Sequence, residues 1–299
     1  MIPTLSICII NHCTPELTRG CLQSLYRTTG DLPIEIFVVN NTREPCDLSD
    51  LAAQRSTPLR LIQNEQPLGF AANQNQMMRL AQGRYLMPLN SDTVAHPGAL
   101  PELVRFMDAH PRCGIAGPRL VYADGALQPS CRNFPSAVPT FFEVSGLWTR
   151  FRGNRVLGRW ILLCNPHTDV IEAEWLHGAC YIVRRTAAEQ VGYYDADRFI
   201  MFGEDVEWCW RMRQAGWQIL FNPNAVVTHL EGQSPLDDRA VQMYRGGMRF
   251  VRKHYSPLRF LPVRISAVMA LVIRWLLARN PQTRRVCWAA MKTLVAGHD

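Results

Sequence analysis

Four short stretches of this chain carry side chains whose types and spacing could do chemistry. Asn90-Ser91-Asp92 follows the apolar run Tyr85-Leu86-Met87-Pro88-Leu89. A carboxylate just beyond a buried strand can hold a divalent cation, and that cation can neutralise phosphate oxygens as a leaving group departs. Taken alone the tripeptide reads first as a turn, because all three residues form turns. Gly203-Glu204-Asp205-Val206-Glu207 packs three acids into four residues. A single acid at that place would be an ordinary partner of a helix start. Three repel one another, which points to a cation or to a carboxylate that moves a proton. His229 ends the run Ala225-Val226-Val227-Thr228, and neutral imidazole is a ligand for a borderline cation such as Mn2+. Trp175-Leu176-His177-Gly178-Ala179 sets an aromatic face, on which a sugar can stack, beside a glycine that lets a ligand reach the backbone. A core tryptophan next to a turn reads the same stretch as well.

These residues need a scaffold, and apolar periodicity supplies one. Strand patterns run over 5–10, 34–39, 59–62 and 85–89, with helical patterns over 15–28 and 70–82, the latter stopping at Gly83. Such alternation predicts a mostly parallel sheet covered by helices. Ligands of those sheets bind beyond the carboxyl ends of the strands, which here are Asn11, Asn40-Asn41 and Asn90-Ser91-Asp92. Pro88 fits its strand poorly, since it donates no ladder hydrogen bond. Residues 113–175 are punctuated by Pro and Gly and include a stretch rich in Arg and Trp, from Trp148 through Arg150, Phe151, Arg152, Arg155 and Arg159 to Trp160. They read as loops and short strands closing the sheet. A strand and helix resume over 180–192. Glu204 to Gln214 is a helix with acids in its first turn, Arg211 and Arg213 in its last, and Gly216 just beyond. Residues 219–221 and 225–227 read as two short strands, and 239–299 as helices.

Bulk properties narrow the function. The chain has 299 residues, 47% of them apolar, enough for one large α/β domain with an appendage. Residues 1–10 form a strand pattern rather than a secretion signal, which predicts a cytosolic protein. Ten cysteines are scattered without a C-x-x-C pair, the pattern of reduced, buried thiols. Residues 1–238 hold 20 basic and 24 acidic side chains, a net −4; residues 239–299 hold 12 basic and one acidic, a net +11. A nucleic-acid binder would carry basic residues on its folded body too. A basic tail with apolar helix points to an anionic membrane surface instead, or to a helix docked on the protein itself. The longest charge-free run in the tail, Ile265 to Ile273, falls short of the ~20 apolar residues of a membrane span, so interfacial attachment is expected.

The order of the pieces is more specific than any one of them. The chain resembles glycosyltransferase family 2, and within it the rhamnosyltransferase-like bacterial members, over about residues 4–255. The matching pieces are Ser6-Ile7-Cys8-Ile9-Ile10-Asn11, Val38-Val39-Asn40-Asn41-Thr42, Asn64 with Leu68-Gly69-Phe70-Ala71-Ala72-Asn73-Gln74-Asn75, Leu89-Asn90-Ser91-Asp92-Thr93, Trp175 with Gly178-Ala179 and Arg184-Arg185, Gly192 with Asp195, Phe202-Gly203-Glu204-Asp205-Val206-Glu207, and Val227-Thr228-His229 with Gly232 and Ser234. The resemblance implies a GT-A-like α/β fold over 1–240, with about 1–115 holding the donor nucleotide and 116–240 the acceptor, followed by a basic helical tail, 241–299. It implies an inverting transfer of a sugar from a nucleotide diphosphate donor, with a divalent metal, Mn2+ or Mg2+, on Asp92 and His229. Asp205 matches the catalytic base, and Glu204, Trp175, His177 and Gly178 lie toward the acceptor. Asn11, Asn40, Asn41, Gly69, Phe70, Asn75, Asn90 and Ser91 lie toward the donor. The expected donor is dTDP-rhamnose, and the expected acceptor a lipid-linked glycan for cell-surface polysaccharide at the inner face of the plasma membrane. Two positions depart from the family pattern. Asn40 stands where an Asp usually helps read the base, which leaves a UDP-hexose donor open, and Asn90 replaces the first Asp of the D-x-D-type motif. A non-catalytic nucleotide-sugar binding homologue is the remaining alternative. A nucleotidyltransferase would show a Gly-rich basic loop after the first strand, and Asn11-His12-Cys13-Thr14-Pro15 is not one.

Overall fold

The structure, a computed structural model, describes residues 2–48, 50–51, 58–232 and 239–296; Ser234 lies outside them. Strands β1 (Leu5–Asn11), β2 (Ile34–Asn40), β3 (Leu59–Gln63) and β4 (Tyr85–Asn90) are parallel neighbours in the order β3-β2-β1-β4. Helix α1 (Pro15–Thr28) joins β1 to β2, and α2 (Phe70–Leu80) precedes β4. The sheet then continues through β11 (Ile182–Arg184), β6 (Cys113–Val121), β12 (Gln218–His229) and β5 (Thr93–Ala95). β11 runs antiparallel to β4 and β6, β12 runs parallel to β6, and β5 runs antiparallel to β12. Short strands β7 (Leu127–Gln128) and β9 (Ile171–Glu172) pair with β6 and β12, while β8 (Cys131–Arg132) and β10 (Trp175–Leu176) form a separate ribbon.

Alternation along the strands divides the core into two layers. Leu5, Ile7 and Ile9 of β1 and Ile34, Ile36 and Val38 of β2 face α1 and helix α3 (Ala99–Ala109). Cys8, Phe37 and Val39 face the other way, toward α2 and helix α6 (Glu204–Gln214). Side chains two apart share a face of a strand, so each strand of this doubly covered sheet contributes to both layers. All ten cysteines are free thiols and all but Cys13 are buried.

Four local expectations change. The 113–175 region holds the nine-residue central strand β6, helix α4 (Ala137–Ser145) and three 3-10 turns at Leu147–Phe151, Leu157–Arg159 and Leu162–Cys164. The glycines of β6 mark close packing rather than turns: a Cβ on Gly117 would lie 2.9 Å from Leu176 Cδ1, and one on Gly114 2.8 Å from Trp217 Cβ. The two short strands at 219–221 and 225–227 are one strand, β12, with a register shift between Asn222 and Val226. Helix α2 ends at Leu80, before Gly83, whose backbone N–H donates to Ser6 Oγ and whose missing Cβ makes room for that contact. Pro88 sits inside the sheet, and the ladder to β11 is interrupted there: Leu86 pairs with Val183 and Leu89 with Cys180.

After α5 (Arg185–Val191) and α6, the tail forms α7 (Arg239–His254), α8 (Pro257–Leu277) and α9 (Pro281–Ala296). By length and composition α8 could cross a membrane, and 28% of its most apolar window is buried. The charge-free run understated it, because apolar residues continue on both sides of Arg264 and Arg274. Its buried face splits: Ala267, Ala270 and Leu271 pack with Val144 of α4 and Cys287, Ala290 and Leu294 of α9, while Val263 joins the core layer that holds Phe250 and Tyr255.

Candidate active site

The parallel strands deliver their carboxyl ends to one edge. Asn11 sits in register with Asn40, and Ile10 with Asn90. β12 runs in the same sense, so His229 ends at that edge as well, and β5 sets Thr93 opposite it. The Leu230 N–H donates to the Asp92 carbonyl at 2.9 Å and ties the two loops together.

This pairing brings the Asp92 and His229 side chains face to face, 3.4 Å apart between Oδ1 and Nε2, with the residues only 7% and 3% exposed. A relay fixes the imidazole. Gln128 donates its amide to Glu231 Oε2 at 2.9 Å, which turns Gln128 Oε1 toward His229 Nδ1 at 3.0 Å. The relay orients the ring so that Nε2 faces the Asp92 carboxylate. Two electron-rich atoms held this close in a buried place fit a shared cation, and a ligand histidine oriented through its other nitrogen is the usual arrangement around such ions. Among the described residues no group of three or more His, Cys, Asp or Glu side chains converges into a metal cluster. Asp92 and His229 are a pair, leaving the rest of a coordination shell to a ligand's oxygens.

The ribbon strand β10 leads into His177 and Gly178. The His177 ring lies 5.6 Å from the His229 ring, and its Nδ1 is buried without a protein partner. Burial, then His229, pushes the imidazole down to about 3, so it is neutral. The next residue touches the acid cluster: the Gly178 N–H donates to Asp205 Oδ2 at 3.1 Å. A Cβ at Gly178 would stand 3.2 Å from the same oxygen. The stretch from His177 to Gly178 thus joins the Asp92–His229 pair to the start of α6.

The two acids that open α6 differ. Asp205 is half-buried, and its carboxylate accepts from the N–H groups of Gly178 and, at 2.8 Å, of Val206. Glu204 is buried and its Oε2 has no partner. Burial raises both carboxyls, and in Glu204 the Asp205 charge adds to the effect, pushing it up to about 8. Backbone donors favour a charged carboxylate and its absence favours the neutral acid. The pair therefore carries its negative charge on Asp205 and its proton on Glu204. The third acid, Glu207, is structural: Arg211, Lys253 and His254 surround it, and they hold its carboxyl below the usual range.

The turn in front of Glu204 is shaped by the tail. Phe202 and Gly203 both have positive φ, 64° and 91°. Gly246 of α7 lies directly against them, so that a Cβ there would overlap the Phe202 carbonyl. Lys253 of α7 reaches Asp195 at 2.7 Å as well as Glu207.

The asparagines at the carboxyl ends of β1 and β2 form a buried network. Asn11 donates to Asn40 Oδ1 at 2.7 Å, and Asn40 donates to Gln63 Oε1 and the Glu44 carbonyl, each at 2.7 Å. Asn41 bonds both backbone groups of Leu68. Asn75 bonds both backbone groups of Tyr194, and a Cβ on Gly69 would meet Ile200 at 2.7 Å. Phe70 has its ring 6.3 Å from that of Tyr194. Ser91 Oγ lies 3.4 Å from Thr14 Oγ1, and Asn90 is half-buried at the end of β4. Trp175 donates its indole N–H to the Asn133 carbonyl, and the Arg132 guanidinium lies over its ring at 5.7 Å. Gln128, Glu231 and Arg132 were not singled out in the sequence.

The family model "Glycosyltransferase like family 2" matches residues 3–248. The chain belongs to that family. It is a glycosyltransferase with a GT-A fold, and rhamnosyltransferase-like within the family. An N-acetylglucosaminyl-diphospho-decaprenol L-rhamnosyltransferase of Mycobacterium tuberculosis is 28% identical over 286 residues, covering 88% of this chain and 85% of that protein. The O-antigen biosynthesis protein RfbC of Myxococcus xanthus is 28% identical over 78% of this chain and 18% of its own length. Among solved structures, GalNAc-T7 with UDP, GalNAc and Mn2+ superposes with a TM-score of 0.62 at 17% identity, over 84% of this chain and 48% of that one. The chain thus spans about half of GalNAc-T7. The mannosyltransferase PcManGT of Pyrobaculum calidifontis, in complex with GDP-Man and Mn2+, gives 0.58 at 16% identity over 100% of this chain and 77% of that one.

Proposed function

We propose that this glycosyltransferase moves a sugar, with inversion, from a nucleotide diphosphate donor to a hydroxyl of a lipid-linked glycan. Residues 1–240 form the catalytic domain, the donor on 1–115 and the acceptor on 116–240, and 241–299 form a membrane-facing tail. The single observation behind the mechanism is that one short stretch, His177-Gly178, touches both the His229–Asp92 pair and the Asp205 carboxylate. A base and a charge-neutralising pair on opposite sides of a reacting carbon are what a single displacement needs.

Asp205, ionised and partly open to solvent, takes the proton of the acceptor hydroxyl. That oxygen bonds to the anomeric carbon as the bond to the departing diphosphate breaks, through a transition state with oxocarbenium character. Glu204, neutral, donates a hydrogen bond toward the acceptor, with Trp175, His177 and Gly178 forming the wall. Asp92 and His229 would hold a divalent ion, Mn2+ or Mg2+, which when bound supplies positive charge to the diphosphate. Asn11, Asn40, Asn41, Gly69, Phe70, Asn75, Asn90 and Ser91 shape the loops around the nucleotide.

The donor is dTDP-rhamnose and the product enters cell-surface polysaccharide. The rhamnosyl group and the polysaccharide are supported by the relatives' names, a decaprenol-linked L-rhamnosyltransferase and an O-antigen biosynthesis protein, and the dTDP carrier by the resemblance to rhamnosyltransferase-like members alone. The enzyme works in the cytoplasm, held peripherally at the anionic inner face of the plasma membrane. A thermal-shift panel of dTDP, UDP, GDP and CDP, with and without Mn2+, tests this, since a ligand of the folded state raises stability with the logarithm of its concentration over Kd. A Mn2+-dependent shift with dTDP alone is expected. A shift with UDP alone would replace the donor and keep the mechanism. No shift with any of them would favour a non-catalytic homologue.

A further inference from the structure

The Arg- and Trp-bearing stretch at 146–160 has no part in the chemistry above, and neither does a groove of about 530 Å³ between α4 and α8. The groove is lined by Val138, Phe141 and Phe142 on α4 and by Leu261, Ile265 and Met269 on α8. The two features adjoin. The Phe142 ring, part of the groove wall, lies 6.1 Å from the Phe151 ring and joins the small core of Ile161, Leu163 and Cys164 that underlies the stretch.

Both features present apolar side chains to solvent. Val156 and Trp160 are each 75% exposed. On α8, Leu258, Leu261, Ile265, Met269, Val272 and Leu276 are exposed at steps of three and four residues, one continuous helical face. The one acid beside them on α4, Glu143, is paired with Arg132, and the other charges nearby have one sign. Residues 144–168 contain no acid and four exposed arginines, Arg150, Arg152, Arg155 and Arg159, and residues 239–298 contain no acid at all. Exposed aromatic and aliphatic side chains interleaved with arginines match the boundary of an anionic leaflet, with apolar groups among the chains and guanidinium groups at the phosphates. Self-association is less well matched, because two copies would bring these positive surfaces together.

We propose that the 146–160 stretch and the α4–α8 groove form one two-part docking face for an anionic lipid leaflet, rather than the tail acting alone. The inference deepens the membrane reading above and rests on it. It also accounts for where the face lies. α4 lies between β8 and β10 in the chain, and Arg132 of β8 bonds Glu143 of α4 while lying over Trp175 of β10. The leaflet is thereby brought alongside the acceptor wall, so that a lipid-linked acceptor reaches Asp205 without leaving the membrane.

The test uses the full chain and vesicles of phosphatidylcholine with and without phosphatidylglycerol, read by co-sedimentation. Two variants are compared with the parent: Val156→Glu with Trp160→Glu, and Ile265→Glu with Met269→Glu. All four side chains are exposed, and unchanged circular dichroism and Tm would establish that the variants fold. Wild type should bind only the phosphatidylglycerol vesicles, and each double variant should bind about tenfold or more weakly. If the tail variant loses binding while the Val156/Trp160 variant binds as the parent does, the two-part face is wrong and the tail reading stands. If the parent binds neither vesicle, both are wrong. Dimerisation of the parent in solution that either variant abolishes would assign the face to a second copy and overturn the proposal.

Discussion

Replacing Glu204 by Gln should make the protein more stable, by an amount that grows with pH. Burial and the Asp205 charge push the Glu204 carboxyl from 4.5 up to about 8. A carboxyl raised in the folded state carries no penalty below its unfolded value. The penalty builds as pH climbs between the two values and is complete above the folded one. Linkage over this interval gives about 1 kcal/mol of destabilisation at pH 5 and about 4 kcal/mol at pH 8. Gln keeps the volume and cannot ionise, so it removes the penalty without opening a cavity. With roughly 2–4 °C of Tm per kcal/mol, Glu204→Gln should melt about 2 °C above the parent at pH 5 and about 8 °C or more above it at pH 8. Calorimetry or circular dichroism melts across that range would read the difference. A Tm difference that does not change with pH, or a Gln variant less stable than the parent at pH 8, would refute the assignment of the proton to Glu204.

Other predictions follow the same geometry. Gly246→Ala should lower Tm and kcat together, because its methyl group would collide with the Phe202 carbonyl in the turn that presents Asp205. Gly247→Ala, next along α7 with open space around it, should raise stability by up to about 1 kcal/mol; equal effects of the two would dismiss the brace. Gln128→Leu should weaken Mn2+-dependent nucleotide binding by roughly 10–100-fold by freeing the His229 ring, and calorimetric titration showing unchanged affinity would remove His229 from the metal pair.

Much of this was legible in the residues. β1, β2 and β4 read as apolar runs because both faces of the sheet are covered, and α6 carried acids at its start and Gly216 at its end. β6 was not legible. Gly114, Gly117 and Pro118 look like loop punctuation, and only the packing of Trp217 and Leu176 explains the glycines. Asp92, Asp205 and His229 were each ambiguous by residue type and were picked out by the ordered motifs that resemble the family. Gln128 was not, because its role depends on His229 and Glu231, about a hundred residues away in the chain. Spacing also could not divide labour within the acid cluster: Glu204, Asp205 and Glu207 look alike in sequence, and backbone donors, a missing partner and the contacts to Arg211, Lys253 and His254 distinguish them.

The most direct test of the central claim is the kinetics of Asp205→Asn measured beside its donor affinity. Asn keeps the shape and cannot take a proton. The account predicts that kcat falls by roughly 10²–10⁴-fold while the Kd for the nucleotide diphosphate with Mn2+ stays that of the parent. Turnover close to the parent's, or a loss of donor affinity as large as the loss of rate, would contradict the assignment of Asp205 as the base.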